Sequence, residues 1–352
     1  MEEITELTGM LELMSDPCFC AKGFRIVKVN QEASRLFLRE GMDLMPMLST
    51  GVREYSDFSG GCLYLNLEVC GVITGASVVR IRDFDCFVLD RESSCRELQT
   101  LALAAQHLRE PLTSLVMGQE QLRALTGEHP ALADPLNHFS RSLAQLQRIV
   151  GNMSDAYSPS SRQECQNLTA LFREIVEKAQ ALVSQIGVTL TYESTREQIL
   201  SLADAQELER AVLNLLSNAL KHTPAGGTVA VTFQRQGRMV FLQIRDSGSG
   251  IASEVMGSVF RRFQRQPGIE SAGNGIGLGM VLVRTAAVHH GGTVLIDQPD
   301  GQGTRVTMTL AIRQDNSSAL RSPILRVDYA GGRDHTLLEL SDVLPPQLFS
   351  NE

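Results

Sequence analysis

The 352-residue chain has no Trp, and aromatic residues make up only 5% of it. It lacks any apolar run of about 18 residues, so no membrane-spanning helix is expected. Its first residues, Met1-Glu2-Glu3, are acidic where a signal peptide is basic, so the chain reads as cytoplasmic. The 7 Cys are odd in number and include no CxxC pair, which excludes a dense disulfide framework and fits a reducing compartment. Positive charge is also scarce: the net charge is −8, which argues against nucleic-acid binding through a basic surface. No His precedes His107, which counts against an N-terminal haem held by imidazole. What remains is a globular composition, 43% hydrophobic and 20% charged, long enough for two or three domains.

Residues 1–91 carry β-type runs at Cys18–Cys20, Phe24–Val29, Gly61–Leu67, Cys70–Val79 and Phe84–Leu89. A helix-like stretch, Gln31–Arg39, interrupts them, and the expectation is a small antiparallel α+β domain. Residues 92–156 change period. Leu101, Ala105, Leu108, Leu112, Leu115, Gln119 and Leu122 alternate steps of four and three. So do Leu132, Leu136, Phe139, Leu143, Leu146, Val150 and Met153. Thr126-Gly127-Glu128-His129-Pro130 breaks the pattern, predicting a helical hairpin. One hairpin cannot bury such a seam alone, so a homodimeric four-helix bundle is expected rather than an isolated hairpin. A polar linker covers 157–165.

Residues 166–312 predict a second α+β domain. It has helices ending near Ile186, over Ala205–His222 and over 275–290. Its strands lie at Val188–Tyr192, Ile199–Ala203, Thr228–Gln234, Val240–Arg245, 293–297 and 304–312. The long loop 252–274 is of the kind that usually carries function. In the tail 313–352, Ile324–Tyr329 suggests a strand and Asp334–Leu344 a helix stopped by Pro345-Pro346.

Three clusters converge on a nucleotide. Asn214, Asn218 and Lys221 fall on one face of a helix, a set suited to Mg²⁺ and phosphate oxygens, though a plain polar face explains them as well. Asp246-Ser247-Gly248-Ser249-Gly250-Ile251 follows a strand. A carboxylate there, with glycines that let the backbone approach, suits an exocyclic amine such as adenine's; a simple glycine turn is the bland alternative. Gly273-Asn274-Gly275-Ile276-Gly277-Leu278-Gly279-Met280 leads into a helix, where exposed N–H groups attract anions. The run is GxGxGxG rather than GxGxxG, and no Gly-Lys-Ser/Thr occurs in it, so Rossmann and P-loop readings fail.

The order NLLSNALKHT (Asn214–Thr223), DSGSGI (Asp246–Ile251), VFRRF (Val259–Phe263), GIGLGM (Gly275–Met280) and HHGG (His289–Gly292) resembles the ATP-binding domain of sensor histidine kinases over about residues 165–312. The resemblance implies an α/β-sandwich of the GHKL (Bergerat) type, with ATP and Mg²⁺ under a lid formed by 252–274. It implies Asn218 on Mg²⁺, Asp246 on the adenine amine and Lys221 and His222 near phosphates. Gly248 and Gly250 border the nucleotide. Gly275, Gly277, Leu278 and Gly279 shape the lid end, and Phe260 and Phe263 are lid residues that meet the helical bundle. Hydrolysing relatives of this fold carry Glu where Asn214 stands, and an amide takes no proton from water, which favours phosphoryl transfer over hydrolysis. The basic run Arg261-Arg262-Phe263-Gln264-Arg265 is read as a charge complement to triphosphate or bundle rather than as a nucleic-acid site.

The hairpin resembles the family's dimerisation and phosphoacceptor module, with one departure. The family pattern Ser-His-Glu/Asp-Leu-Arg-x-Pro-Leu is met at Arg109, Pro111 and Leu112, but the acceptor place holds Gln106 and His107 follows it. Neighbouring positions differ by ~100° around a helix and ~1.5 Å along it, so both point away from the seam. His107 is thus the candidate acceptor, with Glu110 as its orienting base; the alternative is a module that has lost its acceptor.

The stretch Asp16–Phe37 resembles the start of a PAS sensor domain, a moderate match over residues 8–90. Cys18, Cys20, Cys62, Cys70, Cys86 and Cys95 cluster there without metal-ligand spacing, so buried free thiols are expected rather than a redox or metal sensor. The expectation is an α+β multidomain chain: PAS-like sensor 1–91, dimerisation and phosphotransfer hairpin 92–156, ATPase domain 165–312 and tail 313–352. Its function would be autophosphorylation on histidine and transfer to an aspartate of a response-regulator receiver domain. The alternatives are an ATP-binding pseudo-kinase scaffold and, disfavoured by the hairpin, a serine-directed kinase.

Overall fold

The computed structural model describes residues 9, 11–90, 92–126, 129–156, 163–252, 256, 259–260, 278–299, 301–313 and 334–350. β1 (Cys18–Lys22) and β2 (Arg25–Val29) form an antiparallel hairpin that turns at Gly23, where φ is +60°. Asn30 ends β2 and caps α1 (Gln31–Arg35) by accepting from the N–H of Ala33 at 2.9 Å and from that of Cys18 at 3.0 Å. The helix stops at Arg35, short of the expected Arg39, because Phe37 adopts a φ of +62° that no helix continues. After α2 (Val52–Ser56), strands β3 (Cys62–Val69), β4 (Val72–Ile81) and β5 (Phe84–Leu89) complete the segment. Phe19 stacks on Phe87 at 4.6 Å in a core filled by Tyr55, Leu63, Leu65 and Val78.

α3 (Glu92–Thr126) and α4 (Pro130–Asp155) pair antiparallel. Arg109 Nη2 donates to Ser154 Oγ at 2.7 Å and Gln119 Nε2 to Ser140 Oγ at 2.6 Å, so advance along one helix is retreat along the other. Pro111 lies inside α3 and has no N–H to donate to the His107 carbonyl one turn earlier.

The next segment contains β6 (Glu164–Asn167), α5 (Leu168–Val183), β7 (Thr189–Ser194), β8 (Leu200–Ala203) and α6 (Ala205–His222). It continues with β9 (Thr228–Gln236), β10 (Met239–Asp246), α7 (Gly279–His289), β11 (Val294–Asp297) and β12 (Arg305–Ala311). Alternation drives the strands: Val229, Val231 and Phe233 of β9 turn inward beside Val240, Leu242 and Ile244 of β10. α5 and α6 cover that face, with Phe172 against Phe233 at 4.9 Å.

One sheet runs through both ends of the chain in the order β2-β1-β5-β4-β3-β11-β12-β10-β9-β7. All its pairings are antiparallel except β7 with β9, and β6 with β8 forms a separate ribbon. The junction is the pairing of β3 with β11, Tyr64 opposite Val294 and Cys62 opposite Ile296. The first segment and the ATPase-like segment, expected as separate domains, thus meet edge to edge, each covering the other's unpaired strand.

The tail departs from expectation. α8 (His335–Glu339), capped by Asp334, is shorter than the helix expected to Leu344, and turns carry the chain to a 3-10 turn at Pro346–Phe349. Leu337, Leu340, Leu344 and Phe349 are buried in the same core as Phe172 and Leu208. Residues 334–350 therefore pack on the ATPase-like segment and on α4 as well: Arg141 donates to the carbonyls of Ser341 and Asp342 at 2.9 Å. The expected strand Ile324–Tyr329 lies outside the described residues.

Candidate nucleotide-binding site

The period of two along β10 places Asp246 on the same inward face as Val240, Leu242 and Ile244. A carboxylate thus ends a buried apolar row, 7% exposed. Asp246 Oδ1 accepts from the N–H of Gly248 at 2.9 Å and from the N–H of Thr304 at 3.1 Å. Oδ2 takes no hydrogen bond among the described residues and is left for a ligand donor, the arrangement an adenine amine requires.

Glycine is required around this carboxylate. A Cβ on Gly248 would lie 2.3 Å from the His222 carbonyl oxygen, and one on Gly303 (φ +66°) 2.0 Å from the Asp246 carbonyl oxygen. Gly250 (φ +76°) packs on the Gln298 amide. The sequence reading singled out Gly248 and Gly250 but missed Gly303 and Thr304; the only signal was the G-Q-G-T turn at 301–304.

α6 is started by Asp204, whose side chain accepts from the N–H of Glu207 at 3.0 Å. Asn214 and Asn218 share a face by spacing, yet their settings differ. Asn218 is exposed, Lys221 half-buried and His222 exposed. Asn214 is buried: its Nδ2 donates to the Arg210 carbonyl at 2.9 Å, and its Oδ1 accepts from Arg148 Nη2 of α4 at 3.4 Å. Gly279, the first residue of α7, lies over it, with room for no side chain beyond hydrogen. A Cβ there would sit 2.9 Å from Asn214 Oδ1. Asn218 fits Mg²⁺, a neutral oxygen donor facing solvent, for an ion that takes few protein ligands.

Leu278 is buried and, with Val281, shares an apolar cluster with Leu98, Ala105, Val150 and Met153 of the hairpin. The start of α7 therefore shares a cluster with both hairpin helices, and next to Ala105 of that cluster stand Gln106 and His107, both exposed, as is Glu110. Phe260 is buried against Tyr64 at 5.5 Å, so it meets the first segment. Phe263, Gly275, Gly277 and the basic run at 261–265 lie outside the described residues.

The two histidines of the HHGG motif act at the other end of α6. His290 is buried; its Nε2 accepts from the N–H of Asp204 at 3.0 Å while Nδ1 faces the Ala286 carbonyl at 2.7 Å. Burial holds its pKa below the ordinary imidazole value. His289 Nδ1 lies 2.7 Å from Glu207, and that hydrogen bond raises its pKa.

Comparison with known proteins places the domain that carries these residues. Residues 203–314 match the family described as histidine kinase-, DNA gyrase B-, and HSP90-like ATPase. The sensor histidine kinase CusS of Escherichia coli is 30% identical over 212 residues, covering 58% of this chain and 44% of that protein. The histidine protein kinase DivJ of Caulobacter vibrioides is 30% identical over 257 residues, covering 70% and 43%. The chain thus spans less than half the length of these two curated relatives. The adaptive-response sensory kinase SasA of Synechocystis is 27% identical over 268 residues, covering 70% of this chain and 68% of that protein. Among solved structures, full-length ShkA in complex with AMPPNP shares the fold at a TM-score of 0.51 with 22% identity, over 62% of this chain and 46% of that one. Among the described residues, no helix is long and apolar enough to cross a membrane. Residues 203–314 thus carry an ATPase domain of the GHKL type, and the chain is similar to sensor histidine kinases.

Proposed function

We propose that the chain is an ATP-dependent protein histidine kinase that phosphorylates itself on His107 and passes the phosphoryl group to an aspartate of a response-regulator receiver domain. The observation that carries the proposal is the apolar cluster that Leu278 and Val281 share with Ala105 of the hairpin. It sets the glycine-led start of α7 beside the acceptor segment. There the imidazole of His107 attacks the γ-phosphorus of ATP, the bond to the bridging oxygen breaks and ADP leaves. Glu110, one turn on, takes the imidazole proton. Asp246 Oδ2 receives the adenine amine, and Lys221 and His222 stand at the phosphates. Mg²⁺, held by Asn218 with phosphate oxygens and water, supplies charge neutralisation when bound.

Residues 1–91 serve as a PAS-like input domain. The hairpin serves as the dimer module: Leu108, Leu115 and Leu122 on α3 and Leu132, Phe139 and Leu146 on α4 recur every seven residues and are all exposed. A second copy covers this row and closes a four-helix bundle.

Incubation of the full chain with labelled ATP tests the assignment. His107→Ala is expected to abolish acid-labile label while calorimetric ATP binding persists. Undiminished label would remove His107 from the reaction. Gln106 favours a second reading, a pseudo-kinase that binds ATP and gates another protein; it predicts no phosphohistidine in the unaltered chain.

A further inference from the structure

Cys20 and Cys86 stand directly opposite each other in the antiparallel pairing of β1 with β5. Their Sγ atoms are 2.8 Å apart. Directly opposed residues on neighbouring strands hold their Cβ atoms about 4.5–5.5 Å apart, and a disulfide asks for about 3.5–4.5 Å, so little backbone movement separates the two states. Cys20 is buried and Cys86 is partly exposed at the sheet surface. The hydrogen bond to Cys86, together with burial, pushes the Cys20 thiol up, and the same bond draws Cys86 below the ordinary thiol pKa. The more accessible sulfur, Cys86, is thus the one drawn toward the thiolate, the form that reacts.

Cys18, Cys62 and Cys70 are placed differently. Cys18, two residues away on the same face, points its Sγ at the Leu11 carbonyl at 3.6 Å and lies opposite Val88. Cys70 is exposed and directs its Sγ to the Leu36 carbonyl at 3.4 Å. Cys62 is buried in the main core, on β3.

We propose that Cys20 and Cys86 form a peroxide-oxidisable pair that closes a reversible cross-strand disulfide in the first segment. Cys86 attacks one oxygen of hydrogen peroxide; the O–O bond breaks, giving a sulfenic acid and water. Cys20 then displaces that oxygen as a second water and the S–S bond forms. Two thiols and one peroxide become one disulfide and two waters, so the sulfurs are oxidised and the peroxide reduced. The strand that carries Cys86 runs on to Asp90, which accepts from Tyr64 Oη at 2.7 Å and from Arg284 of α7 at 3.1 Å. Arg284 also donates to the Phe260 carbonyl at 3.2 Å. Closure thus cross-links β1 to a strand tied directly to the ATPase-like segment.

The test uses the reduced full chain, treated with hydrogen peroxide, alkylated and digested without reductant. A peptide linking Cys86 to the segment that holds Cys18 and Cys20 is expected, with loss of two hydrogens and recovery of both thiols on adding dithiothreitol. Cys18→Ser should leave the link intact. Cys20→Ser should abolish it and leave Cys86 to oxidise further, with circular dichroism verifying the fold. The proposal is overturned if the unaltered chain gives no link, if Cys18→Ser removes it, or if Cys86 passes straight to sulfinic acid. None of these readouts depends on ATP, so the result stands apart from the kinase assignment.

Discussion

Arg148 of α4 and Glu339 of α8 lie 3.1 Å apart, Nε to Oε2, across 191 residues of sequence. Both are buried. Arg148 also meets Asp342 at 2.6 Å, and Arg210 of α6 meets Glu339 at 3.5 Å as well as Asp155. The tail thus pins the second bundle helix to the helix that carries Asn214. Arg148, Arg210 and Glu339 are charges that water no longer solvates, so removing Glu339 strands the two guanidinium groups.

Glu339→Ala is therefore expected to destabilise the chain by about 3 kcal/mol, since Arg148 and Arg210 both lose a buried partner. Denaturant midpoints at unchanged slope measure it. The variant should also release 334–350 to limited proteolysis. A midpoint equal to that of the unaltered chain would disprove the clamp.

Asp246→Asn keeps the oxygen that accepts from Gly248 and Thr304 but replaces the open oxygen with a donor. The fold should hold, while ATP affinity falls by about 10- to 100-fold, the worth of a hydrogen bond involving a charged group. Titration calorimetry reads this directly. Equal affinity would place the base elsewhere.

The histidine pair predicts a two-sided pH profile. His290 has its pKa lowered from 6.5 by burial, so the stability it brings is fully present above pH 6.5 and is lost as pH falls through its folded pKa. His289 has its pKa raised from 6.5 by Glu207, so its contribution is fully present below pH 6.5 and is lost as pH rises through the raised value. His289→Gln should flatten the loss above pH 6.5 and leave the acid side unchanged. Superimposable melting profiles above that pH would contradict the sign given for His289.

Leu115 is 49% exposed in the middle of the seven-residue row on α3. Leu115→Glu places a charge in the proposed dimer seam and should give a monomer by light scattering where the unaltered chain is expected to give a dimer, with helical content retained. A dimer that survives this change is not built on that row.

Much of this architecture was legible in the residues. Alternation along β9 and β10, the four-three spacing of the hairpin and the Asp204 cap of α6 are local properties, and each element formed within a few residues of where its pattern ends. The Asp-Ser-Gly-Ser-Gly motif likewise located its carboxylate, because a strand's period of two decides which face its last residue joins. The partners of these groups were not legible. Gly303 and Thr304 sit more than fifty residues beyond Asp246, and their glycine turn does not tell which residue Gly303 packs on or which carboxylate Thr304 donates to.

What the sequence determined by itself is most of the elements, β6 and α2 excepted, and the resemblance of the nucleotide site. Only the tertiary structure decided which surfaces are shared. It joined the first segment to the ATPase-like sheet through β3 and β11, because two unpaired strand edges satisfy each other's backbone. It turned Asn214 toward Arg148 while Asn218 stayed open, because another helix covers one and not the other. It set Cys20 against Cys86, because cross-strand register brings together residues 66 apart that no local pattern connects.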